Sequence, residues 1–584
     1  NFKTIQSQIC AYCFRIFVIS FCIKTIPGMN RQLALSTWVT ICLIILMGGI
    51  SSSSNAQNLP PLEVTIFDST ATHGYYFITL VTNEAPYPYD NPQLILDRFG
   101  RIVYSRVFSG IPIGISITSD FKIHDNGLMS YFSRYGGQFY LMDSTFTVID
   151  SIGSANGYPI DSHDLLILPD GHYMLMAKEL RVMDMSSYYW FGPNGNLPGS
   201  TTAEVTGVAI QEFDENKDLV WEWLAHDHFN IEDVDTAWLK GPDKVDWTHS
   251  NAIEVDTDGN ILLSSRHFNE ITKINHETDS IIWRLGGKAN QFTFTNDTLW
   301  FKGQHDIRRI SNGEITLFDN GKLHTPPLAR ALNYSLDETN LIATLEWEYF
   351  YDSAVNSMSW GSYQTLEDGN RLIDFGNIPD GYPWMALVKP DKSVIMEITN
   401  QDSYSSYRAF NYETLPWAFD QPLVDCYKQG DTWYLEAEPG HPEYLWSTGA
   451  TTSSIPITSS GEYWVSVPHG DGFIRSRYIE VTDPLNPCLY LNTEEPIASG
   501  TITLQCVPNP VSSRSVINFS MPSRLQASLS LTDMRGKELF STPAIIYEPG
   551  NHTVPFDATS LTKGVYILRL QAGSTIVIQK VVVL

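Results

Sequence analysis

Three histidines of the sequence each stand at the head of a near-repeat. The segments read HDLL from His163, HSNA from His249 and HDIR from His305. Each leads an alternating run that ends in a turn, at Asp170-Gly171, Asp258-Gly259 and Asn312-Gly313. A repeat of this kind places equivalent residues at equivalent points of a radial array. The three imidazoles are therefore expected to converge on one site, where neutral imidazoles can supply a nucleophile and a proton acceptor.

The elements that would carry these histidines are short β-hairpins. From about residue 60 to 415, alternating runs are separated by Gly, Asn and Asp turns, and a second class of hairpin carries Trp221, Trp283 or Trp347. Inner and outer hairpins that alternate make four-stranded blades, which predicts an all-β protein with a β-propeller. The spacing of the repeats favours six blades, with seven as the alternative. The segments 183–203 and 226–246 are expected to be rim loops that cover the site.

Length and charge bound the possible functions. A chain of 584 residues is too long for one core, so two to four domains are expected. The formal net charge is −28 and the pI is near 4.8. No basic stripe is present to neutralise phosphates, which argues against nucleic-acid binding. An acidic surface is compatible with a soluble secreted protein.

The N-terminal region has the pattern of a secretory signal. Residues 33–50 are apolar, follow Met29-Asn30-Arg31 and lead into small and polar residues up to Gln57. This order is typical of a signal peptide, with Met29 as the start and residues 1–28 as upstream sequence. We therefore expect residues 1–56 to be absent from the mature protein. A membrane anchor is the alternative interpretation of the same stretch.

Two smaller β-modules are predicted after the propeller of residues 57–415. Residues 425–482 fit an immunoglobulin-like sandwich around Trp446 and Trp464, residues 485–502 form a linker, and residues 503–584 form a second sandwich. Cys426 and Cys488 bracket the first module. An oxidising compartment would favour a bridge between them, and two free thiols are the alternative.

The final segment resembles the type A sorting domain of the type IX secretion system. The matching elements are Pro508-Asn509-Pro510, the DMRGK turn from Asp533, the LTKGVY strand from Leu561 and the KVVV end from Lys580. The resemblance covers nearly all of residues 503–584. It implies export across the outer membrane by the type IX machinery, cleavage of the tail, and a secreted or cell-surface location.

Residues 62–411 resemble the aryl-sulfate sulfotransferase family. The resemblance is carried by HSN from His249, SSR ending at Arg266, WRLGG from Trp283, QHD around His305, and Arg330-Ala331. It implies a six-bladed propeller that moves a sulfuryl group from a phenolic sulfate ester to a phenol through a sulfated histidine. It implies no cofactor and no phosphoadenosine phosphosulfate. By position, His305 matches the family's nucleophile, His249, Asn251 and Arg266 match the sulfate site, and His163 matches the remaining site histidine.

The residue types suit this chemistry. A sulfate monoester presents anionic oxygens, and an arginine fork such as that of Arg266 matches them. The N–H groups of His163 and His249 would add donors, and one of these imidazoles would take the proton of the acceptor phenol. His305 needs a neutral nitrogen, which neighbouring positive charge favours. Further substrate-binding candidates are Asn251, Arg308 and Arg330.

Other interpretations use the same residues. A non-catalytic propeller could bind glycan or protein ligands, and water as acceptor would make the site a sulfate-ester hydrolase. Three histidines could hold zinc, but the neighbouring arginine argues against a divalent cation, so no metal is predicted. The Asp256–Asn260 stretch lacks the distal glutamate of a calcium loop and is predicted to be a turn. Seven further histidines of the propeller are predicted to be structural or solvated: His124, His172, His226, His228, His267, His276 and His324.

Overall fold

The chain is described from a computed structural model. It covers residues 59–583. The gaps in this description are residues 69–72, 83–90, 109–117, 193–194, 240, 352–354, 356, 380, 400–403, 418, 420, 486, 488–501, 508, 512–513, 522–524, 534–536, 548–549, 560 and 573–574. The predicted signal peptide lies outside the described residues. Among those described, no helix combines the length and the hydropathy of a membrane span.

Six antiparallel sheets built on four strands follow one another between residues 63 and 412, and they are the blades of a β-propeller. Blade 1 comprises Tyr404–Tyr412, Tyr75–Thr82, Pro92–Leu96 and Ile102–Val107. Blade 2 comprises Thr118–Ile123, Met129–Ser133, Gln138–Met142 and Val148–Ile152. Blade 3 comprises Ile160–Ile167, Tyr173–Met183, Ala203–Phe213 and Leu219–Leu224.

The last three blades follow the same order along the chain. Blade 4 comprises Ser250–Val255, Ile261–Ser265, Glu270–Ile274 and Ile281–Gly286. Blade 5 comprises His305–Arg309, Ile315–Asp319, Arg330–Asp337 and Ile342–Tyr349. Blade 6 comprises Ser362–Thr365, Arg371–Asp374, Met385–Val388 and Val394–Thr399. The prediction of an all-β propeller is confirmed.

The first and last strands of the propeller segment each pair with a blade from the opposite end of the segment. Tyr404–Tyr412 pairs with Tyr75–Thr82 and so completes blade 1, with Tyr412 opposite Tyr75. Glu63–Phe67 adds a fifth strand to blade 6, against Val394–Thr399. Chain-distant strands paired in this way remove exposed sheet edges.

The two segments predicted as rim loops contain regular structure. The first holds the hairpin Tyr189–Gly192 and Gly195–Pro198. The second holds the helix Ala225–His228, the 3₁₀ turns Ile231–Asp233 and Thr236–Trp238, and the strand Lys244–Asp246, which runs parallel to Ala203–Phe213. Another short parallel strand, Thr293–Thr295, extends blade 5.

Apolar cores fill the spaces within and between blades. One core joins blades 3 and 4 through Trp223, Trp247 and Phe268, each at most 1% exposed. Another joins blades 4 and 5 around Trp283 and Phe301. Burial of these large side chains supplies the main favourable free energy of the fold and fixes the inner strands that carry the site.

The module after the propeller is a β-sandwich whose core includes Trp446 and Tyr463. Its strands are Val424–Gln429, Thr432–Ala437, Leu445–Trp446, Ser454–Pro456, Gly461–Tyr463, Val465–His469, Gly472–Arg475 and Ile479–Val481. Gly472–Arg475 pairs with Ile102–Val107, so one of its sheets continues blade 1. Cys426 is disulfide-bonded, and its predicted partner Cys488 lies outside the described residues.

The C-terminal sandwich has its own apolar core around Phe519 and Leu568. One sheet comprises Thr503–Val507, Arg514–Met521 and Gly550–Asp557. The other comprises Leu525–Asp533, Glu538–Ser541, Ile545–Tyr547, Gly564–Ala572 and Thr575–Val583. The fold therefore has two small β-sandwiches after the propeller, as predicted.

Candidate functional site

The three repeat histidines lie on the first strands of blades 3, 4 and 5. His163 lies within Ile160–Ile167, His249 directly precedes Ser250–Val255, and His305 begins His305–Arg309. The rings of His163 and His249 have centroids 5.4 Å apart. His305 is buried, and it lies close enough to both imidazoles and to Arg266 for their charges to lower its pKa. The structure thus brings these four side chains together.

The repeat register explains two of the positions and not the third. His163 and His305 each stand eight residues before a turn glycine, Gly171 or Gly313. In blade 4 that place belongs to Asn251. His249 lies two residues earlier, where the pairing register shifts between Ser250 and Ala252 and the backbone of His249 has φ +42°. His249 therefore does not occupy the repeat position of His163 and His305, and a register shift also follows His305 at the start of blade 5.

Each of the three imidazoles has a fixed hydrogen-bond partner at Nδ1. His163 pairs with the carboxylate of Asp161, and His249 with that of Asp246 at 2.5 Å. His305 pairs instead with the amide oxygen of Asn320, also at 2.5 Å. Partners of this kind set the ring orientation and the tautomer.

Burial and neighbouring cations keep the His305 ring neutral. Burial lowers its pKa well below the usual value, and the charges of Arg266 and His163 act in the same direction. Burial also lowers the pKa of His249, against the effect of Asp246. Although burial opposes it, the bond to His249 holds the pKa of Asp246 at about 2. The site therefore contains a neutral imidazole next to groups that hold charge.

Arg266 is a buried guanidinium without a carboxylate contact. It follows the strand Ile261–Ser265 and is 8% exposed. Its Cζ lies 4.2 Å from the ring centroid of Trp238, and its Nη2 donates to the carbonyl oxygen of Met358 at 3.0 Å. Within the described part of the chain no carboxylate forms an ion pair with it, and its Nε has no hydrogen-bond partner. Burial lowers its pKa to about 10, so it keeps its charge and can still bind an anion.

A cavity of about 200 Å³ opens beside two of the three histidines, and its lining does not include His305 or Arg266. Its lining includes His163, His249, Asp161, Asp246 and Lys178. Lys178 lies 3.4 Å from the carboxylate of Asp161 and is about half exposed. The cavity gives a small molecule access to the two imidazoles that pair with carboxylates.

The other three predicted site residues make contacts of a different kind. Asn251 is buried and donates to the carbonyl oxygen of Gln304 at 2.7 Å, while its own Oδ1 has no partner in the described structure. Arg308 contacts Asp164 at 3.0 Å and Asp306 at 2.8 Å. These contacts leave Asn251 with an open acceptor and satisfy Arg308 within the protein.

Arg330 is likewise neutralised by protein groups. Its guanidinium contacts Asp297 at 3.3 Å and Asp319 at 3.1 Å, and it is 1% exposed. The structure does not place a contact between Arg330 and the three histidines. Substrate binding by Arg308 and Arg330 stays a prediction, and their ion pairs favour a structural role for both.

Comparison with known families supports the resemblance seen in the sequence. Residues 63–413 match the family model of arylsulfotransferase (ASST). The match spans more than half of the chain and contains every predicted site residue. The chain belongs to the arylsulfotransferase family. Residues 506–584 match the secretion system C-terminal sorting domain, which confirms the type IX resemblance and indicates secretion to the cell surface or beyond.

Solved structures resemble the arylsulfotransferase chain only distantly. A protein of unknown function from Bacteroides caccae is 10% identical, with 58% of this chain and 98% of that chain covered and a TM-score of 0.36. Virginiamycin B lyase from Staphylococcus aureus is 8% identical, covers 65% and 96%, and has a TM-score of 0.30. PorZ of Porphyromonas gingivalis is 11% identical, covers 86% of each chain, and has a TM-score of 0.20. No curated protein sequence matches the chain.

The candidate site includes residues that the sequence interpretation missed. His267, predicted to be structural or solvated, is buried and stacks between His249, at 4.6 Å, and Trp238, at 5.3 Å. Asn320 holds His305. A signal for Asn320 exists, since Lys178, Arg266 and Asn320 each stand seven residues after a turn glycine. The same repeat thus places a cavity cation, the buried guanidinium and the amide partner at equivalent points of three blades.

One group in the described structure has the residue types of a metal site. Asp246, His249 and His267 each offer a ligand atom within 4.8 Å of the others. However, His267 Nδ1 bonds the backbone oxygen of Asp246 at 2.6 Å, and its Nε2 lies 3.5 Å from a guanidinium nitrogen of Arg266. A carbonyl oxygen accepts only, so Nδ1 carries the proton, and a cation at Nε2 would face another cation. These contacts disfavour a divalent metal ion.

Proposed function

We propose that the protein transfers a sulfuryl group from an aryl sulfate ester to a phenolic acceptor, with His305 as the nucleophile. The observation that supports this best is the buried, carboxylate-free guanidinium of Arg266 beside three imidazoles. An unpaired buried cation is costly unless a ligand compensates it. The oxygens of a bound sulfate ester would compensate the charge of Arg266 and would place the sulfur next to the neutral imidazole that attacks it.

In the first half-reaction, the guanidinium of Arg266 would hold the sulfate oxygens, and Nε2 of His249 would add a donor when its ring is protonated. His305 Nε2 would attack sulfur, so that an N–S bond forms while the S–O bond to the aryl group breaks. The phenolate would leave with its electron pair and take a proton from a neighbouring imidazole, that of His163 or His249. Donors aimed at the sulfuryl oxygens would stabilise the charge that moves in the transition state.

The second half-reaction would be the reverse with a new phenol. His163 or His249 would remove the proton of the acceptor hydroxyl, and the phenolate would attack the sulfuryl group on His305. The O–S bond would form as the N–S bond breaks, which returns His305 to its neutral state. The ester itself would supply the sulfuryl group, so the scheme needs no phosphoadenosine phosphosulfate and no other cofactor. Covalent transfer divides one difficult displacement into two easier ones.

The test is incubation of the full chain with 4-nitrophenyl sulfate, with and without phenol. With phenol we expect continued release of 4-nitrophenol and formation of phenyl sulfate. Without acceptor we expect a single equivalent of 4-nitrophenol and one added sulfuryl group on the peptide that contains His305. Mass spectra must be recorded without acid, because a sulfated imidazole is labile. His305→Ala should abolish all three signals, whereas His441→Ala in the adjacent sandwich should change none.

The outcomes separate the competing functions. Release of 4-nitrophenol without phenyl sulfate would indicate a hydrolase that uses water as the acceptor. Undiminished turnover by His305→Ala would refute the assignment of the nucleophile. Binding of the ester without turnover by the native protein would support a binding propeller instead.

A further inference from the structure

The partners of the three site imidazoles differ in charge. Asp161 and Asp246 place carboxylates on His163 and His249, whereas Asn320 places a neutral amide oxygen on His305. We propose that Asn320 is a positioning residue that fixes His305 in the tautomer with its proton on Nδ1, so that Nε2 is free to react. This inference rests on the proposed function for its purpose, but its structural content can be tested without activity.

The hydrogen bonds of Asn320 determine which way its amide faces. Its nitrogen donates to the hydroxyl oxygen of Ser357 at 3.0 Å and to the carbonyl oxygen of Trp360 at 2.9 Å. A carbonyl oxygen cannot donate, so the amide nitrogen must face Trp360 and the amide oxygen must face the imidazole. His305 Nδ1 is therefore the donor of the 2.5 Å bond. A neutral ring with its proton on Nδ1 has a lone pair on Nε2.

Contacts of the preceding residue fix the backbone that presents Asn320. The carboxylate of Asp319 accepts from the backbone nitrogens of Lys302 at 2.9 Å and Gly321 at 3.0 Å. It also pairs with His324 at 2.8 Å and Arg330 at 3.1 Å. Through its ion pair with Asp319, the buried Arg330 therefore helps to hold the turn that carries Asn320.

Glycine is required next to this turn. Gly321 has φ +64°, and a Cβ at that position would lie 1.6 Å from the carbonyl oxygen of Leu328. A side chain here would force the turn apart. Asn320 is therefore fixed by both of its sequence neighbours. The carboxylate of Asp319 anchors the backbone before it, and Gly321 allows the close backbone approach after it.

An amide and a carboxylate would act on this histidine with different strengths, because the hydrogen bond to Asn320 raises the pKa of His305 less than burial and the charge of Arg266 lower it. A carboxylate next to an imidazole favours the protonated ring, which has no lone pair for attack on sulfur. An amide oxygen orients the ring and adds no charge. The groups that face His305 are Arg266, His163, His249 and Asn320, and the first three oppose its protonation. Carboxylate partners for His163 and His249 and an amide partner for His305 suit the proposed roles, because the first two must exchange protons and His305 must not hold one on Nε2.

The direct test is the nitrogen NMR spectrum of histidine-labelled full-length protein, assigned with His305→Ala. We expect His305 to be neutral near pH 7 with a protonated Nδ1 and a bare Nε2. Asn320→Ala should lose this single tautomer, and Asn320→Asp should produce a protonated ring at pH values where the native ring is neutral. Asn340→Asp, on an exposed turn, is the matched control and should leave the spectrum unchanged.

Kinetics provide the second readout. Asn320→Asp should move the acid limb of the kcat/KM profile upward by about one to three pH units, the effect of an opposite charge at short range. Asn320→Ala should lower kcat about 10- to 100-fold, as when the outer partner of a working imidazole is removed, with KM for the donor little changed because Arg266 is intact. If the Asn320 variants fail to fold, Ser357→Ala removes one bond that holds the amide and should give a smaller change of the same kind.

Failure of this inference is distinct from failure of the proposed function. A native His305 with its proton on Nε2 would overturn the positioning role, whatever the activity. Retention of both the native tautomer and the native rate by Asn320→Ala would overturn it as well. A protein that shows the expected tautomer but transfers no sulfuryl group would instead overturn the proposed reaction.

Discussion

Two buried groups of charged side chains lie in the propeller, and their charges are arranged in opposite ways. In the first, Lys122, Arg308 and Arg408 interlock with Asp120, Asp164 and Asp306, and we call this the inner-strand ion cluster. Its contacts include Lys122 to Asp164 at 2.6 Å and Arg408 to Asp120 at 2.8 Å. In the second, Arg266 lies among imidazoles and an indole, with no carboxylate in contact within the described structure.

The difference teaches how to separate structural from functional cations in this fold. Despite burial, Asp164, Asp120 and Asp306 raise the pKa of Arg408 well above its usual value, whereas burial lowers that of Arg266 to about 10. The protein therefore stabilises the charge of Arg408, whereas the more distant charge of Asp246 only partly offsets the burial of Arg266. A residue kept at such a cost is typical of a ligand site.

Removal of Arg408 should produce the largest effect on stability. Arg408→Met would leave three buried carboxylates with two cations, and a broken buried pair costs about 3–5 kcal/mol. Chemical denaturation monitored by tryptophan fluorescence measures the change. Arg134→Met, an exposed arginine on a turn of blade 2, is the control and should have almost no effect. Equal stability of Arg408→Met and the native protein would show that the inner-strand ion cluster does not stabilise the fold.

Removal of Arg266 should do the reverse, with a large effect on activity and little on stability. Arg266→Met removes an uncompensated charge and keeps an apolar contact with Trp238, so the free energy of unfolding should stay the same or rise. The value of kcat/KM for 4-nitrophenyl sulfate should fall about 10²- to 10³-fold, the usual loss when one donor to a developing charge is removed. If Arg266→Met unfolds the protein and Arg408→Met does not, the assignment of the two groups must be exchanged.

The sequence predicted the propeller and the residues that follow its repeat, because turn glycines and alternating strands are local signals. His163 and His305 share a register with Gly171 and Gly313, so their equivalence could be read from spacing alone. His249 lies two residues before the equivalent position of blade 4, so spacing alone does not predict its place beside the other two.

Partners from distant blades were beyond the reach of the sequence pattern. Arg308 was predicted to bind substrate, but Asp164 meets it from blade 3, a separation of 144 residues. His267 was missed because part of its environment, the ring of Trp238, comes from the segment between blades 3 and 4. Asn320 lies in the same blade as His305 and follows the repeat spacing from Gly313, but spacing alone does not show that its amide meets the imidazole. Only the three-dimensional structure shows which cations are already neutralised.

The smallest expected effect is that of Asp374 on stability. This carboxyl lies close to the inner-strand ion cluster but is not one of its members, so its titration tests the comparison between compensated and uncompensated charges. Burial raises its pKa to about 8, against the hydrogen bond from the backbone nitrogen of Gly376. Arg408, which also acts on it, is already paired with Asp120 and Asp164. Asp374 is therefore the anionic counterpart of Arg266, a buried group whose charge the protein does not compensate.

The sign of its effect on stability follows from the direction of the shift. In the unfolded chain Asp374 loses its proton near the ordinary value of 3.8, whereas in the folded protein it keeps the proton up to about pH 8. Its contribution to stability is therefore complete below pH 4 and declines as the pH rises to about 8, by about 1.4 kcal/mol per pH unit. Burial also raises the pKa of Glu254, to about 7, but Glu254 titrates in both proteins, so its effect cancels when native and variant are compared at pH 5 and at pH 7. Asp374→Asn should remove this slope, measured as the difference between native and variant free energies of unfolding at the two pH values. An unchanged difference would mean that the cluster already compensates Asp374, and that Arg266 alone, of the two, carries an uncompensated charge.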